Sequence, residues 1–249
     1  TTGKGRYTDD INRPGQLHAF FIRSNVAHAK IKNVDITKAL KSDGVAAIYT
    51  GADIAADGVG GPICGWTPTN RDGSAPKEPP HPLLANGKVR YVGDHIAVVI
   101  AESMEQAKSA AENVKIDLEA LAPVVDLSTA IGNTQVHDEM VDNVYFDWEL
   151  GDEKATADAL GSAAKVIELT VTNNRVIPNA MEPRAAVAEY DEPSESYTLY
   201  TSSQNPHLTR LVMAAFMMQI PESKLHVVAP DVGGGFGSKI YIYPEEAVC

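Results

Sequence analysis

The chain has 249 residues, 44% of them hydrophobic, with 33 acidic against 21 basic side chains and a formal net charge of −12. That balance argues against a nucleic-acid or anionic-membrane partner, since both require clustered Lys and Arg, and no apolar run is long enough to cross a bilayer. Two cysteines, Cys64 and Cys249, make no disulfide framework and cannot supply the roughly four thiolates of an iron–sulfur cluster, and seven singly spaced histidines offer no zinc-binding pattern.

Residues 17–22 (LHAFFI) and 45–49 (VAAIY) read as short strands. The Gly/Pro-rich stretch 57–82 reads as a long irregular loop. The apolar run 95–101 (HIAVVIA) has strand length. Ser103 with Gln106 fits a capping box, and Met104, Ala107, Ala111 and Val114 then share one helical face. Val114, Ile116 and Leu118 alternate with Lys115, Asp117 and Glu119, as in a half-buried strand. The whole of 95–118 therefore reads as a β-α-β unit, which 121–126 (LAPVVD) leaves.

The mixed, polar residues 127–160 hold the domain boundary, with Tyr145 and Trp148 pinning the connection to a surface. Beyond them, 164–172 (AKVIELTVT) alternates like a strand, with Val166, Glu168, Thr170 and Thr172 on one face and Ile167, Leu169 and Val171 on the other. Residues 185–191 and 196–202 are further strands. Asn205 caps a helix that starts at Pro206, and its Met213, Met217 and Met218 read as core filler rather than a soft-metal surface. Residues 224–230 (KLHVVAP) form the last strand. Pro244, Glu245 and Glu246 compose a first helical turn. The helix so announced stops at Cys249, so the chain reads as one piece of a longer polypeptide.

The stretch 229–239 (APDVGGGFGSK) follows the last strand directly. It fails as a Walker-type phosphate loop because Ser238, not glycine, precedes Lys239. It fails as a dinucleotide fingerprint because the third glycine position, counted from Gly233, falls on Ser238. Consecutive glycines still let the backbone approach a ligand with N–H groups free, and Phe236 offers an apolar wall. A plain tight turn is the equally weighted alternative. Gln204 shifts that balance. If strands 196–202 and 224–230 run parallel across the intervening helix, Gln204 and the glycine loop share the carboxyl edge where open α/β sheets bind ligands. A side-chain amide and backbone N–H groups would there hold an oxo or phosphate group.

TSSQNPH (201–207) followed by KLHVVAPDVGGGFGSK (224–239) resembles the large, molybdenum-binding subunits of the xanthine dehydrogenase, aldehyde oxidase and aerobic carbon monoxide dehydrogenase family. NAMEPRAAVAEYD (179–191), the stretch 88–126 and GKGRYTDDI (3–11) fit it too, with the carbon-monoxide-dehydrogenase-like branch the nearest in look. The resemblance implies an α+β fold: an α/β-hammerhead domain over 1–126, a linker over 127–134, and over 135–249 the first, truncated part of a mixed α/β molybdopterin-binding domain.

The same resemblance implies a molybdenum-molybdopterin cofactor in its cytosine dinucleotide form, with Gln204 bonded to an oxygen on the metal and Gly234, Gly235, Phe236 and Gly237 lining it with backbone groups. No residue of this chain is a metal ligand or a catalytic group; the family's glutamate base lies beyond residue 249, so these residues alone are inactive. The implied activity is oxidative hydroxylation of an aldehyde, an N-heterocycle or a carbon monoxide-like substrate. Ile240 stands where xanthine-type members carry a glutamate, which disfavours purines. The implied partners are the remaining C-terminal part of the large subunit, an iron–sulfur small subunit and an FAD medium subunit, in a cytoplasmic dimer of heterotrimers. Glu182 aligns with an acidic position near the site and reads equally as a structural partner of Arg184. The competing class is a non-catalytic hammerhead-type binding or structural module.

Overall fold

The computed structural model describes residues 2–249. Its strands are β1 (His18–Arg23), β2 (Ala29–Asp35), β3 (Val45–Thr50), β4 (Lys88–Val89), β5 (His95–Ala101), β6 (Lys115–Ala120), β7 (Ala186–Asp191), β8 (Ser196–Thr201) and β9 (Leu225–Val228). Its helices are α1 (Gly51–Ala56), α2 (Met104–Ala111), α3 (Glu153–Ser162), α4 (Pro206–Leu211) and α5 (Pro244–Val248). The strands form three three-stranded sheets, ordered β1-β5-β3, β4-β2-β6 and β7-β8-β9. The fold is thus mixed α and β, with helices packed beside small, largely antiparallel sheets.

The unbroken apolar run of β5 reflects burial on both faces. Val99 and Ala101 pack with Ile48 and with Ala107 and Ala110 of α2. Ile96 points the other way, into a cluster with Ala29, Ala85 and Val89 beside the second sheet. Alternate residues of one strand therefore serve two clusters, the pattern that a doubly covered strand requires. The Ser103 hydroxyl accepts from the Gln106 N–H at 3.2 Å and starts α2 as its cap.

Residues 95–118 do not form a β-α-β unit. Both edges of β5 are already taken by antiparallel partners, β1 and β3, so no parallel return beside it is open. The chain passes α2 and joins β6 to β2 in the neighbouring sheet instead. A parallel crossover does occur later. β8 and β9 pair in parallel, with Tyr197 opposite Leu225 and Tyr200 opposite Val228. The connection between them is α4 followed by a wider-wound helical turn over Val212–Met218. Met213 and Met217 from that turn are buried with Leu199 and Leu225. Leu83, from the loop before β4, and Ile242 complete this cluster.

Residues 164–172 form no strand. Alternation supplies the side-chain pattern, but a strand also needs an edge to accept its backbone, and no strand among the described residues pairs with it. The polar connection before it is held as expected at Trp148, whose ring meets Trp66 edge-on at 5.5 Å. Trp66 also meets Phe146 at 5.2 Å, Tyr145 packs on Phe146, and Arg71 grips Asp147 through two bonds of 2.9 Å. Among the described residues no helix is long and apolar enough to cross a membrane.

Candidate functional site

The parallel register of β8 and β9 brings their carboxyl ends together. The chain leaves β8 through Ser202, Ser203 and Gln204, and leaves β9 through the glycine loop. The two exits are bonded to each other: the Gln204 N–H donates to the Lys239 carbonyl at 2.8 Å. The Gln204 side-chain oxygen in turn accepts from the N–H groups of Gly237, at 2.9 Å, and Lys239, at 3.3 Å. Two donors facing one amide oxygen settle which way the amide points. Its NH2 group donates to no described residue. Asn205 then caps α4, its side chain accepting from the Leu208 N–H at 3.2 Å.

The loop is wound through the left-handed region at Gly234 (φ 102°), Phe236 (φ 52°) and Gly237 (φ 88°). Glycine adopts this freely, whereas at Phe236 it costs roughly 1–2 kcal/mol. Gly235 is needed for a different reason, since a Cβ there would run into the Gln204 side chain. The N–H groups of Gly234, Gly235 and Phe236 donate to no described acceptor, while the Phe236 ring is 73% exposed. The sequence-predicted residues Gln204, Gly234, Gly235, Phe236 and Gly237 thus lie together, with a run of backbone donors and a free side-chain amide.

Beneath the loop sits an ion pair that sequence reasoning missed. Lys239 is 1% exposed, and its Nζ donates to the Glu182 carboxylate (3.0 Å), the Glu182 carbonyl (2.8 Å) and the Ser202 hydroxyl (2.7 Å). That uses all three protons of the ammonium. The Glu182 carboxylate also accepts from the Ser202 hydroxyl at 2.6 Å and from the Gly233 N–H at 2.7 Å. Burial pushes the Glu182 carboxyl up, but Ser202, Gly233 and Lys239 outweigh it and hold the group below its usual value. Its second oxygen, Oε1, is buried without a partner.

Glu182 therefore pairs with Lys239 and not with Arg184. Arg184 points elsewhere, donating to the carbonyls of Ser238 (2.7 Å) and Tyr241 (3.1 Å) and to buried Glu246, with the Tyr243 ring 4.1 Å away. Burial raises the Glu246 carboxyl despite Arg184. The two pairs brace the loop from both sides: Lys239 anchors it to Glu182, and Arg184 grips its exit. A lysine after a glycine loop reads as a surface or phosphate-binding residue, and no spacing signal marks it as buried.

No group of three His, Cys, Asp or Glu side chains that could hold a metal occurs among the described residues, and Cys64 and Cys249 are free thiols. The donor set consists of N–H groups, which suits recognition of oxygen atoms on a ligand and not metal ligation.

The family described as aldehyde oxidase and xanthine dehydrogenase, a/b hammerhead domain, matches residues 2–122. The molybdopterin cofactor-binding domain matches residues 136–249, a range that contains Gln204 and the whole glycine loop. The chain belongs to the xanthine dehydrogenase, aldehyde oxidase and carbon monoxide dehydrogenase large-subunit family. It is 35% identical to the nicotine 6-hydroxylase large subunit of Paenarthrobacter nicotinovorans, over 98% of this chain and 29% of that protein. It is 35% identical to the carbon monoxide dehydrogenase large chain of Afipia carboxidovorans, over 98% of this chain and 30% of that one. Quinoline 2-oxidoreductase from Pseudomonas putida 86 superposes with a TM-score of 0.85 at 34% identity, covering 99% of this chain and 30% of that structure. The chain thus spans about 30% of the length of these large-subunit relatives.

Proposed function

We propose that the chain is the part of a molybdenum hydroxylase large subunit that carries the hammerhead domain (1–126), a linker (127–134) and the opening section of the cofactor-binding domain (135–249). The observation that carries this reading is the joint between Gln204 and the glycine loop. Gly237 and Lys239 occupy the amide oxygen of Gln204, which leaves its NH2 group as a donor beside the free N–H groups of Gly234, Gly235 and Phe236. Such a donor set fits the oxygen-rich surroundings of a molybdenum-molybdopterin cofactor in its cytosine dinucleotide form. When bound, the cofactor supplies two-electron oxidation coupled to transfer of an oxygen atom derived from water.

This chain's residues orient and polarise. Gln204 and the loop donate to oxygen, the Phe236 ring walls the site, and Lys239 with Glu182 hold the loop in shape. Fixed donors of this kind act without reorganising during reaction. The base that activates the nucleophile lies in the polypeptide beyond residue 249, and electrons leave to iron–sulfur and FAD subunits in a cytoplasmic dimer of heterotrimers. Aldehydes and N-heterocycles are the favoured substrates and purines are disfavoured, because Ile240 offers no carboxylate to a purine.

The test is Gln204→Ala in the complete large subunit, assayed with aldehydes and N-heterocycles by an artificial electron acceptor. Turnover per molybdenum falls by roughly 10²-fold while the fold is retained. Unchanged turnover per molybdenum removes Gln204 from the site.

A further inference from the structure

Glu245 and Glu246 are neighbours in the first turn of α5, and they serve different parts of the molecule. Adjacent residues on a helix point about 100° apart, so one turn can face two ways. Glu245 reaches the first sheet. Its Oε1 accepts from Arg23 at 2.5 Å and bonds the His95 Nε2 at 2.9 Å. Arg23 and His95 stand opposite each other where β1 pairs with β5, so one carboxylate spans the ends of both strands. Glu246 turns inward and is buried. Its carboxylate accepts from Arg184, from the Thr201 hydroxyl at 3.2 Å and from the Tyr243 N–H at 2.6 Å. Arg184 continues to the carbonyls of Ser238 and Tyr241. Ser238 donates its N–H, at 2.9 Å, and its hydroxyl, at 2.8 Å, to the Gly235 carbonyl. A continuous line of bonds thus runs from the strand ends to the turn at Gly235.

We propose that Glu245 and Glu246 couple the first sheet to the glycine loop, with Arg23 and His95 as positioning residues for the loop that act through α5. The link between the two carboxylates is a single peptide unit on a stiff turn. Pro244 fixes its own φ, and the bond from the Tyr243 N–H to Glu246 closes the turn on itself. A shift of Glu245 is therefore passed to Glu246, and from there to Arg184 and Ser238. Arg13 and Glu189 give the contrast. They also join the first part of the chain to the third sheet, at 2.5 Å, but Arg13 bonds no residue of the loop. The proposal concerns the shape of the loop and does not rest on what the loop binds.

Hydrogen exchange read by mass spectrometry, on the complete large subunit at equal molybdenum content, tests the coupling. In Arg23→Gln the amides of 237–240 exchange roughly fivefold faster than in the wild type. Arg13→Gln leaves them unchanged. Arg184→Lys removes the forked guanidinium and breaks the line, so in that background Arg23→Gln adds no further acceleration. Unchanged exchange of 237–240 in Arg23→Gln overturns the proposal. Equal acceleration by Arg13→Gln also overturns it, because it marks a general loosening of the chain. So does a full fivefold effect of Arg23→Gln on top of Arg184→Lys, which would mean that the two act independently. None of these readouts is an activity, so failure here leaves the reading of Gln204 and the loop untouched.

Discussion

Lys239 and Glu182 form a buried ion pair under the glycine loop, 3.0 Å from Nζ to carboxylate, with 1% and 9% of their side-chain surfaces exposed. A buried pair adds little net stability over an apolar pair of the same shape, but removing one partner leaves an uncompensated charge. Lys239→Met is therefore expected to destabilise the chain by about 3–5 kcal/mol, read by urea denaturation. Lys239→Met combined with Glu182→Gln recovers at least half of that loss. A double variant no better than the single one would show that the loss comes from packing and not from the stranded carboxylate.

Glu245 joins the second half of the chain to the first sheet, bonding His95 at 2.9 Å and Arg23 at 2.5 Å. Burial alone would raise its carboxyl; His95, a backbone N–H and Arg23 outweigh burial and bring it from 4.5 down to about 2. A carboxyl lowered in the folded state stabilises above its unfolded value and loses that contribution as pH falls through the folded one. The stability difference between the wild type and Glu245→Gln is thus full above pH 4.5 and shrinks steadily toward pH 2. A difference independent of pH across that window would contradict the assignment.

Trp148 is held by an edge-on contact with Trp66, which also packs on Phe146. Aromatic pairs of this kind contribute roughly 0.5–1.5 kcal/mol beyond the area they bury. Trp148→Ala should leave global stability nearly unchanged while opening the 57–82 loop locally. Limited proteolysis detects this as faster cleavage between residues 66 and 80, with cleavage elsewhere unaltered. Equal cleavage rates would mean that the loop is held by Arg71 and Asp147 without the ring contact.

What could be read from the residues divides by range. The Ser103 cap, the Asn205-Pro206 helix start and the apolar run of β5 are local, and each appears where it was expected. The meeting of Gln204 with the loop was legible on one condition, that the strands on either side of the α4 connection pair in parallel, and β8 and β9 meet it. The β-α-β reading of 95–118 failed because it depends on which edges of β5 are open, and β1 and β3 take both from elsewhere in the chain. The strand at 164–172 failed for the same kind of reason: alternation is local and pairing is not. Glu182 was placed beside Arg184 because they are neighbours in sequence, whereas its partner Lys239 lies 57 residues away, beyond the reach of any spacing rule.

If Gln204 and the glycine loop hold the proposed molybdenum cofactor, the metal content of the subunit depends on the joint between them. The measurement is molybdenum per complete large subunit, by elemental mass spectrometry, in the wild type, in Gly235→Val and in Gly161→Ala. A side chain at Gly235 meets Gln204, whereas one at Gly161 meets open space. The account predicts near-stoichiometric molybdenum in the wild type and Gly161→Ala, and severalfold less in Gly235→Val with the fold intact. Wild-type protein free of molybdenum from a host that makes the cofactor, or Gly235→Val that retains full molybdenum, would contradict it.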